Sequence, residues 1–411
     1  MDTSVESATK TACITFDKGC PRMAVDVARL FTYLESNGWT LVEQVDDADL
    51  ILAACCAVHQ GAEDSGFVIL SQIDKRRKAG SRLVVVGCLA AICEERLLDS
   101  FDVQTAPPIR ADSLDGIIGA TVKLEQVPEV QDRDVFIREA EYSAGLAAQS
   151  PARSRARKIV RATRLKALSQ LVRNGSEADG TRVCSLRVAW GCASECTYCG
   201  IRYATGALRS KALPTILEEL DAGLKEGFSL FEVIAGDVGC WGTDMGTTAV
   251  ELFRGIFDRS GDFELIVDDF NPRYLVQNRA ELIPLLAANT AHLRSIVLPV
   301  QSGSDRILTR MKREYAAFAT TQALAELREA IPQVQLITHV LVGFPGETDA
   351  DFAETCELLE AVRFDRVDAY PYAPRPHTAA ADMDHQVPAS VIDARCAQLC
   401  RQFTTVVADY L

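Results

Sequence analysis

The sequence predicts an α/β protein in two parts: a small N-terminal parallel sheet, then a six-strand βα repeat. Three observations carry this. Short apolar runs alternate with longer amphipathic stretches along most of the chain, as parallel strands joined by helical crossovers do. Cysteines stand just after several of those runs, at the strand ends where open α/β sheets bind ligands. A length of 411 residues, at about 150 per domain, asks for two or three domains.

The first strands are expected at 12–16, 50–54 and 83–86, with helices at 23–36 and 66–78 between them, a flavodoxin- or Rossmann-like arrangement. Cys20 follows the first strand in KGCPR, Cys55 and Cys56 follow the second in AACCAV, and Cys88 follows the third in VGCLA. A single strand-end cysteine is ordinary core material, because Cys is among the most buried residue types. Three at equivalent ends of one sheet can meet in space despite separations of more than 30 residues. Cys55 and Cys56 compete for one place, since neighbours at a strand end point to opposite sides. Gly19 and Gly87 let the backbone turn tightly beside this trio.

Further strands are expected at 183–188, 230–235, 263–267, 294–300, 334–342 and 366–372. Helices at 213–226, 247–257, 279–288, 319–330 and 349–362 separate them. After the first of these strands comes VAWGCASECTYCGIRYATG, with Cys192, Cys196 and Cys199 on one loop. Thiolates at this spacing suit three irons of a cubane cluster. A closed structural zinc site would need a fourth ligand. The histidines are scattered without metal-ligand spacing, and no residue stands out as a catalytic acid, base or nucleophile. Cys396 and Cys400, four apart, read as the buried face of a C-terminal helix.

Composition sets the outer bounds. With 48% apolar and 24% charged residues the chain is of ordinary globular type. No uninterrupted apolar run is long enough for a transmembrane helix, and MDTSVESATK does not resemble a secretory signal. A reducing, cytoplasmic setting is therefore expected, where clustered cysteines mean metal or redox chemistry rather than disulfides. A net charge of −14 argues against nucleic-acid binding by the whole surface. One stretch runs against that balance: residues 142–176 carry no acid, and the Lys- and Arg-rich segment 151–174 reads as a basic amphipathic helix. It suits RNA phosphates, an acidic peptide, or simply a solvated connector.

The CxxxCxxC loop after a first strand resembles the radical SAM superfamily, and the upstream trio is similar to its methylthiotransferase branch. Those enzymes place a methylthio group on tRNA adenosine or on a ribosomal-protein aspartate. The resemblance runs through LPVQSGSDRILTRMKREY (298–315), VLVGFPGETDADFAET (340–355), YAPRPHTAA (372–380) and VIAGDVGCWGTD (233–244). It implies a methylthiotransferase-like domain over 1–105, a linker with a basic helix over 106–180, a partial radical SAM barrel over 181–380, and a C-terminal helix over 381–411. It also implies two [4Fe–4S] clusters, one on Cys192, Cys196 and Cys199 that binds S-adenosylmethionine, the other on Cys20, Cys56 and Cys88 that supplies sulfur. The two clusters are expected to face one another over a cleft. Tyr198, Gly236, Asp237, Gln301, Ser302 and Gly343, at or near the carboxyl ends of barrel strands, become the expected contacts of S-adenosylmethionine. A reducing protein such as flavodoxin or ferredoxin becomes the expected partner, with no membrane involved.

Departures from the family pattern shape the substrate expectation. Met23 stands where Asn is usual, His339 where Asp is common, and DFNPRY (269–274) replaces a segment that usually carries a His before the Pro. The chain stops at Leu411, where tRNA-modifying members continue into a TRAM β-barrel. Together with the acidic charge, this favours sulfur insertion at an unactivated C–H bond of a peptide or a small biosynthetic intermediate. The alternatives are a tRNA methylthiotransferase, or a two-cluster enzyme whose auxiliary cluster donates no sulfur.

Overall fold

The computed structural model describes residues 10–16, 20–129 and 182–407. Gly19 and the basic segment 151–174 lie outside the described residues. The described chain divides into two compact units, one of residues up to Val58 and from Ala62 to 129, the other of His59–Gly61 and 182 onward.

The first unit is built on five parallel strands: β1 (Thr11–Phe16), β2 (Thr40–Leu41), β3 (Leu50–Ala54), β4 (Arg82–Val86) and β5 (Gln104–Ala106), in the order β2-β1-β3-β4-β5. In β3, LILAA is buried at every position, because both faces of a parallel sheet are covered and alternation is lost. The helix Pro21–Ser36 begins with proline in its first turn, where the missing N–H is no loss. Met23, Val27, Leu30 and Leu34 on this helix join Ile14, Leu52 and Val84 in one apolar cluster. Helix Gln60–Arg76 starts six residues before its expected 66, because its polar first turn carries no apolar period. This strand order reverses direction between β1 and β3, the crevice where such sheets hold ligands.

Seven parallel strands form the main sheet of the second unit. They are β6 (Val183–Arg187), β9 (Leu230–Ile234), β10 (Glu264–Val267), β11 (Leu293–Val297), β12 (Gln335–Val342), β13 (Arg366–Pro371) and β14 (Thr405–Val407), in sequential order from β6 to β14. A short antiparallel pair, β7 (Ala189–Trp190) and β8 (Arg209–Ser210), brackets the CxxxCxxC loop. All six expected strands of this region are present. The seventh corrects the expectation of a helix over 381–411: helix Ala389–Gln402 stops and β14 pairs with β13. Three residues are too few to show a period of two. Within β12, Leu336, Val340 and Val342 enter the main core with residues of the covering helices, such as Phe352 and Leu359. Ile337, His339 and Leu341 face the opposite side. Among the described residues no helix is long and apolar enough to cross a membrane.

Candidate metal centres

In the first unit, Cys20, Cys56 and Cys88 follow β1, β3 and β4, three adjacent strands, at their carboxyl ends. Burial, followed by the nearby charges of Cys56 and Cys20, pushes the Cys88 thiol well above its ordinary range. These three sulfurs therefore sit within electrostatic reach of one another, and a shared cation is what relieves such a group. Cys20 stands at the N-cap position of helix Pro21–Ser36. Cys55 turns the other way. It is 1% exposed, its backbone N–H donates to Val86 at 3.0 Å, and its carbonyl accepts from Leu89 at 3.0 Å. The structure thus brings Cys56, not Cys55, beside Cys20 and Cys88. Gly87 makes the crossing possible: its φ is +85°, and a Cβ there would lie 2.8 Å from the Cys55 carbonyl oxygen.

In the second unit the CxxxCxxC loop is pinned by backbone bonds. Cys192 N–H donates to Gly206 at 3.4 Å, Thr197 N–H to Met311 at 3.1 Å, and Cys199 N–H to Cys196 at 3.2 Å. Gly191 and Gly236 let two loops touch, since a Cβ on Gly236 would stand 2.3 Å from the Gly191 carbonyl oxygen. A hydrogen bond with Cys240, helped by Ser194 and Arg313 and opposed by burial, brings the Cys192 thiol down to about 6. Burial, then the Cys196 charge, pushes Cys199 up to about 11. Arg313 places Nη1 3.6 Å from the Cys196 sulfur and donates through Nη2 to the Pro299 carbonyl at 2.7 Å and to Asn271 Oδ1 at 3.3 Å. A cavity of about 430 Å³, lined by Ala193, Glu195, Thr309, Lys312, Arg313 and Glu314, opens beside this loop.

Asp237 is 4% exposed. Its Oδ1 accepts from the N–H groups of Gly239 at 2.9 Å and Asn271 at 3.1 Å. Its Oδ2 is buried and has no hydrogen-bond partner among the described residues. Burial, then the charge of Cys192, raises its carboxyl to about 7. A fixed, orphaned carboxylate oxygen is a seat for a cation or an N–H donor.

The other expected contacts have varied surroundings. Tyr198 rests edge-on against Phe344, with ring centroids 6.4 Å apart. Gln301 holds φ at +65° and pairs its backbone with His339 and Leu341. Ser302 is fully buried, with its hydroxyl accepting from Ser304 N–H at 3.2 Å and lying 3.4 Å from Thr355 Oγ1. At Gly343 the missing side chain makes room for Ile392, whose Cγ1 would be 2.3 Å from a Cβ. That space serves packing against helix Ala389–Gln402. Sequence reasoning did not single out Arg313, Asn271 or Cys240. All three lie in segments already singled out, VIAGDVGCWGTD, DFNPRY and LPVQSGSDRILTRMKREY, but which side chain of each segment meets the cysteine loop is set by tertiary structure.

Residues 187–359 match the model of the radical SAM superfamily, and residues 10–106 match that of the uncharacterized protein family UPF0004. The chain is 28% identical over 389 residues to a probable threonylcarbamoyladenosine tRNA methylthiotransferase of Pyrococcus abyssi, covering 93% of this chain and 81% of that protein. It is 29% identical over 398 residues to the human threonylcarbamoyladenosine tRNA methylthiotransferase, covering 94% of this chain and 61% of that one. With the tRNA-2-methylthio-N(6)-dimethylallyladenosine synthase of Corynebacterium efficiens it shares 28% identity over 389 residues, covering 93% and 68%. Among solved structures, the radical S-adenosylmethionine methyltransferase TsrM from Kitasatospora setae matches with a TM-score of 0.60 at 15% identity, over 91% of this chain and 77% of that one. At that identity the match speaks to the fold alone.

Proposed function

We propose, from the premise that this chain belongs to the radical SAM methylthiotransferase family, that it installs a methylthio group on an adenosine of tRNA. The observation that carries this reading is similarity along 93% of the chain to enzymes named for methylthiolation of tRNA adenosines. A peptide or small biosynthetic intermediate, favoured by the acidic charge, finds no such support and gives way to tRNA. Net charge is a whole-surface quantity, and RNA needs only a local basic contact.

The family's cofactors are S-adenosylmethionine and [4Fe–4S] clusters, typically two. When bound, they supply the reducing electron, the hydrogen-abstracting radical and the sulfur to be transferred. In our reading Cys192, Cys196 and Cys199 would hold one cluster and Cys20, Cys56 and Cys88 the other. The donor sets fit: each is three thiols held close, and one thiol of each is driven above its ordinary range by burial and its neighbours' charge. The orphaned Oδ2 of Asp237, with Oδ1 held still by Gly239 and Asn271, would offer an acceptor to the ammonium of S-adenosylmethionine. Arg313 offsets thiolate charge at Cys196. Burial of Cys196 keeps water from that sulfur.

The test is anaerobic reconstitution, followed by incubation with S-adenosylmethionine, a reductant and two tRNA anticodon stem-loops, one bearing dimethylallyladenosine and one threonylcarbamoyladenosine. A methylthio gain on either nucleoside by mass spectrometry is the expected result. Steady 5′-deoxyadenosine formation with both RNAs left unmodified would overturn the reading.

A further inference from the structure

Cys240 is an extra thiol outside the CxxxCxxC loop. It sits after β9 and is fully buried. Its sulfur, the Cys192 sulfur and a carboxylate oxygen of Asp237 all lie within 4.8 Å of one another. In a tetrahedral zinc site the ligand atoms stand roughly 3.5 Å apart, so a small contraction closes this set. Asp237 adds an independent sign of a missing partner, because its Oδ2 is buried and unpaired while Oδ1 is anchored by two backbone N–H groups. The side chain cannot swing away to satisfy that oxygen without breaking both bonds.

We propose that Cys192, Asp237 and Cys240 form a metal site of their own, for a soft divalent cation of the zinc class, filled when the cluster is absent. Two thiolates and a carboxylate are a donor set for zinc, cobalt(II) or cadmium, not for magnesium or calcium. The fourth position is left to water. Together the three ligands carry three negative charges, and a dication with Arg313 nearby offsets them. Cys240, whose sulfur lies 3.0 Å from the Asp237 carbonyl oxygen and within hydrogen-bonding reach of Cys192, gives up its one thiol proton to solvent on binding. Cys192 cannot ligate this cation and a cubane at the same time. Cation binding therefore competes with cluster assembly on the CxxxCxxC loop. That consequence rests on the ligand reading above, whereas the cation site itself stands without it.

The test uses the full-length, cluster-free chain, reduced and without oxygen, titrated with cobalt(II). The readout is thiolate-to-cobalt charge transfer together with the intense visible bands of a tetrahedral ion. Relative to the unsubstituted chain, Cys240→Ala is expected to lose one equivalent of tetrahedral cobalt or to bind it at least tenfold more weakly. Cys240→Ser, which fills the same space, is expected to do the same, so that loss of packing is not mistaken for loss of a ligand. Cys196→Ala is expected to keep that equivalent, within twofold in affinity. The reverse pattern, with Cys196→Ala abolishing the equivalent and Cys240→Ala sparing it, assigns the cation to the CxxxCxxC loop and overturns the proposal. Absence of any tetrahedral spectrum overturns it as well. Neither RNA nor turnover enters the measurement, so its failure is distinct from failure of the tRNA reading.

Discussion

The guanidinium of Arg313 lies 3.6 Å from the sulfur of Cys196, anchored on its far side to the Pro299 carbonyl at 2.7 Å. A fixed positive charge on a thiolate favours metal loading and tunes the bound cluster. Arg313→Met keeps an apolar stem and removes the charge. Iron per chain after reconstitution is expected to fall toward that of Cys196→Ala, with Arg313→Lys in between. Full iron content and an unchanged electron-spin spectrum in Arg313→Met would count against this role.

Cys55 and Cys56 are neighbours with different surroundings, so they offer a paired test. Cys56→Ala is expected to lower iron from about eight to about four per chain, the content of a single cubane. Cys55→Ala is expected to keep about eight while costing roughly 1 kcal/mol of stability, the effect of trimming a small buried side chain. Iron counting with thermal melts separates the two, and equal iron in both variants would sink the assignment.

Gly191 has a φ of +67°, and a Cβ there would lie 2.1 Å from the Ala207 carbonyl oxygen. Gly191→Ala is expected to cost about 3 kcal/mol or more, combining strained backbone with a clash against main chain. Gly246 has a similar φ of +75° with nothing within 4 Å. Gly246→Ala is therefore expected to cost only about 1 kcal/mol. Denaturant unfolding of both variants checks the contrast, and equal losses would mean that close approach at Gly191 is not what matters.

Asp351 supplies a pH dependence away from any proposed ligand. Burial works to raise its carboxyl, but Arg306, Thr348 and Ser304 hold it well below the ordinary range. A folded-state value below the unfolded one lends stability that is present above about pH 4 and lost as the pH falls further. Asp351→Asn is expected to flatten the stability profile of the cluster-free protein below about pH 4. An unchanged slope would show that the acid sensitivity arises elsewhere.

The substrate reading shows how a global quantity can mislead. The departures from the family pattern and the acidic charge together pointed toward a peptide or small molecule, yet similarity along nearly the whole chain is to tRNA-modifying enzymes. The segment 151–174, where positive charge is concentrated, lies outside the described residues.

Local pattern determined most of the architecture: apolar runs such as Leu50–Ala54 and Gln335–Val342 are buried strands because their own side chains demand it. Three thiols on one loop are likewise adjacent by chain connectivity alone. Tertiary structure decided what connectivity does not fix. It turned Cys56 rather than Cys55 toward Cys20 and Cys88, brought Cys240 and Asp237 to Cys192, laid Arg313 on Cys196, and recruited Thr405–Val407 as a seventh strand. Those contacts depend on strand register and on where each crossover returns the chain. Such long-range positions leave no period in the sequence around the residues that meet.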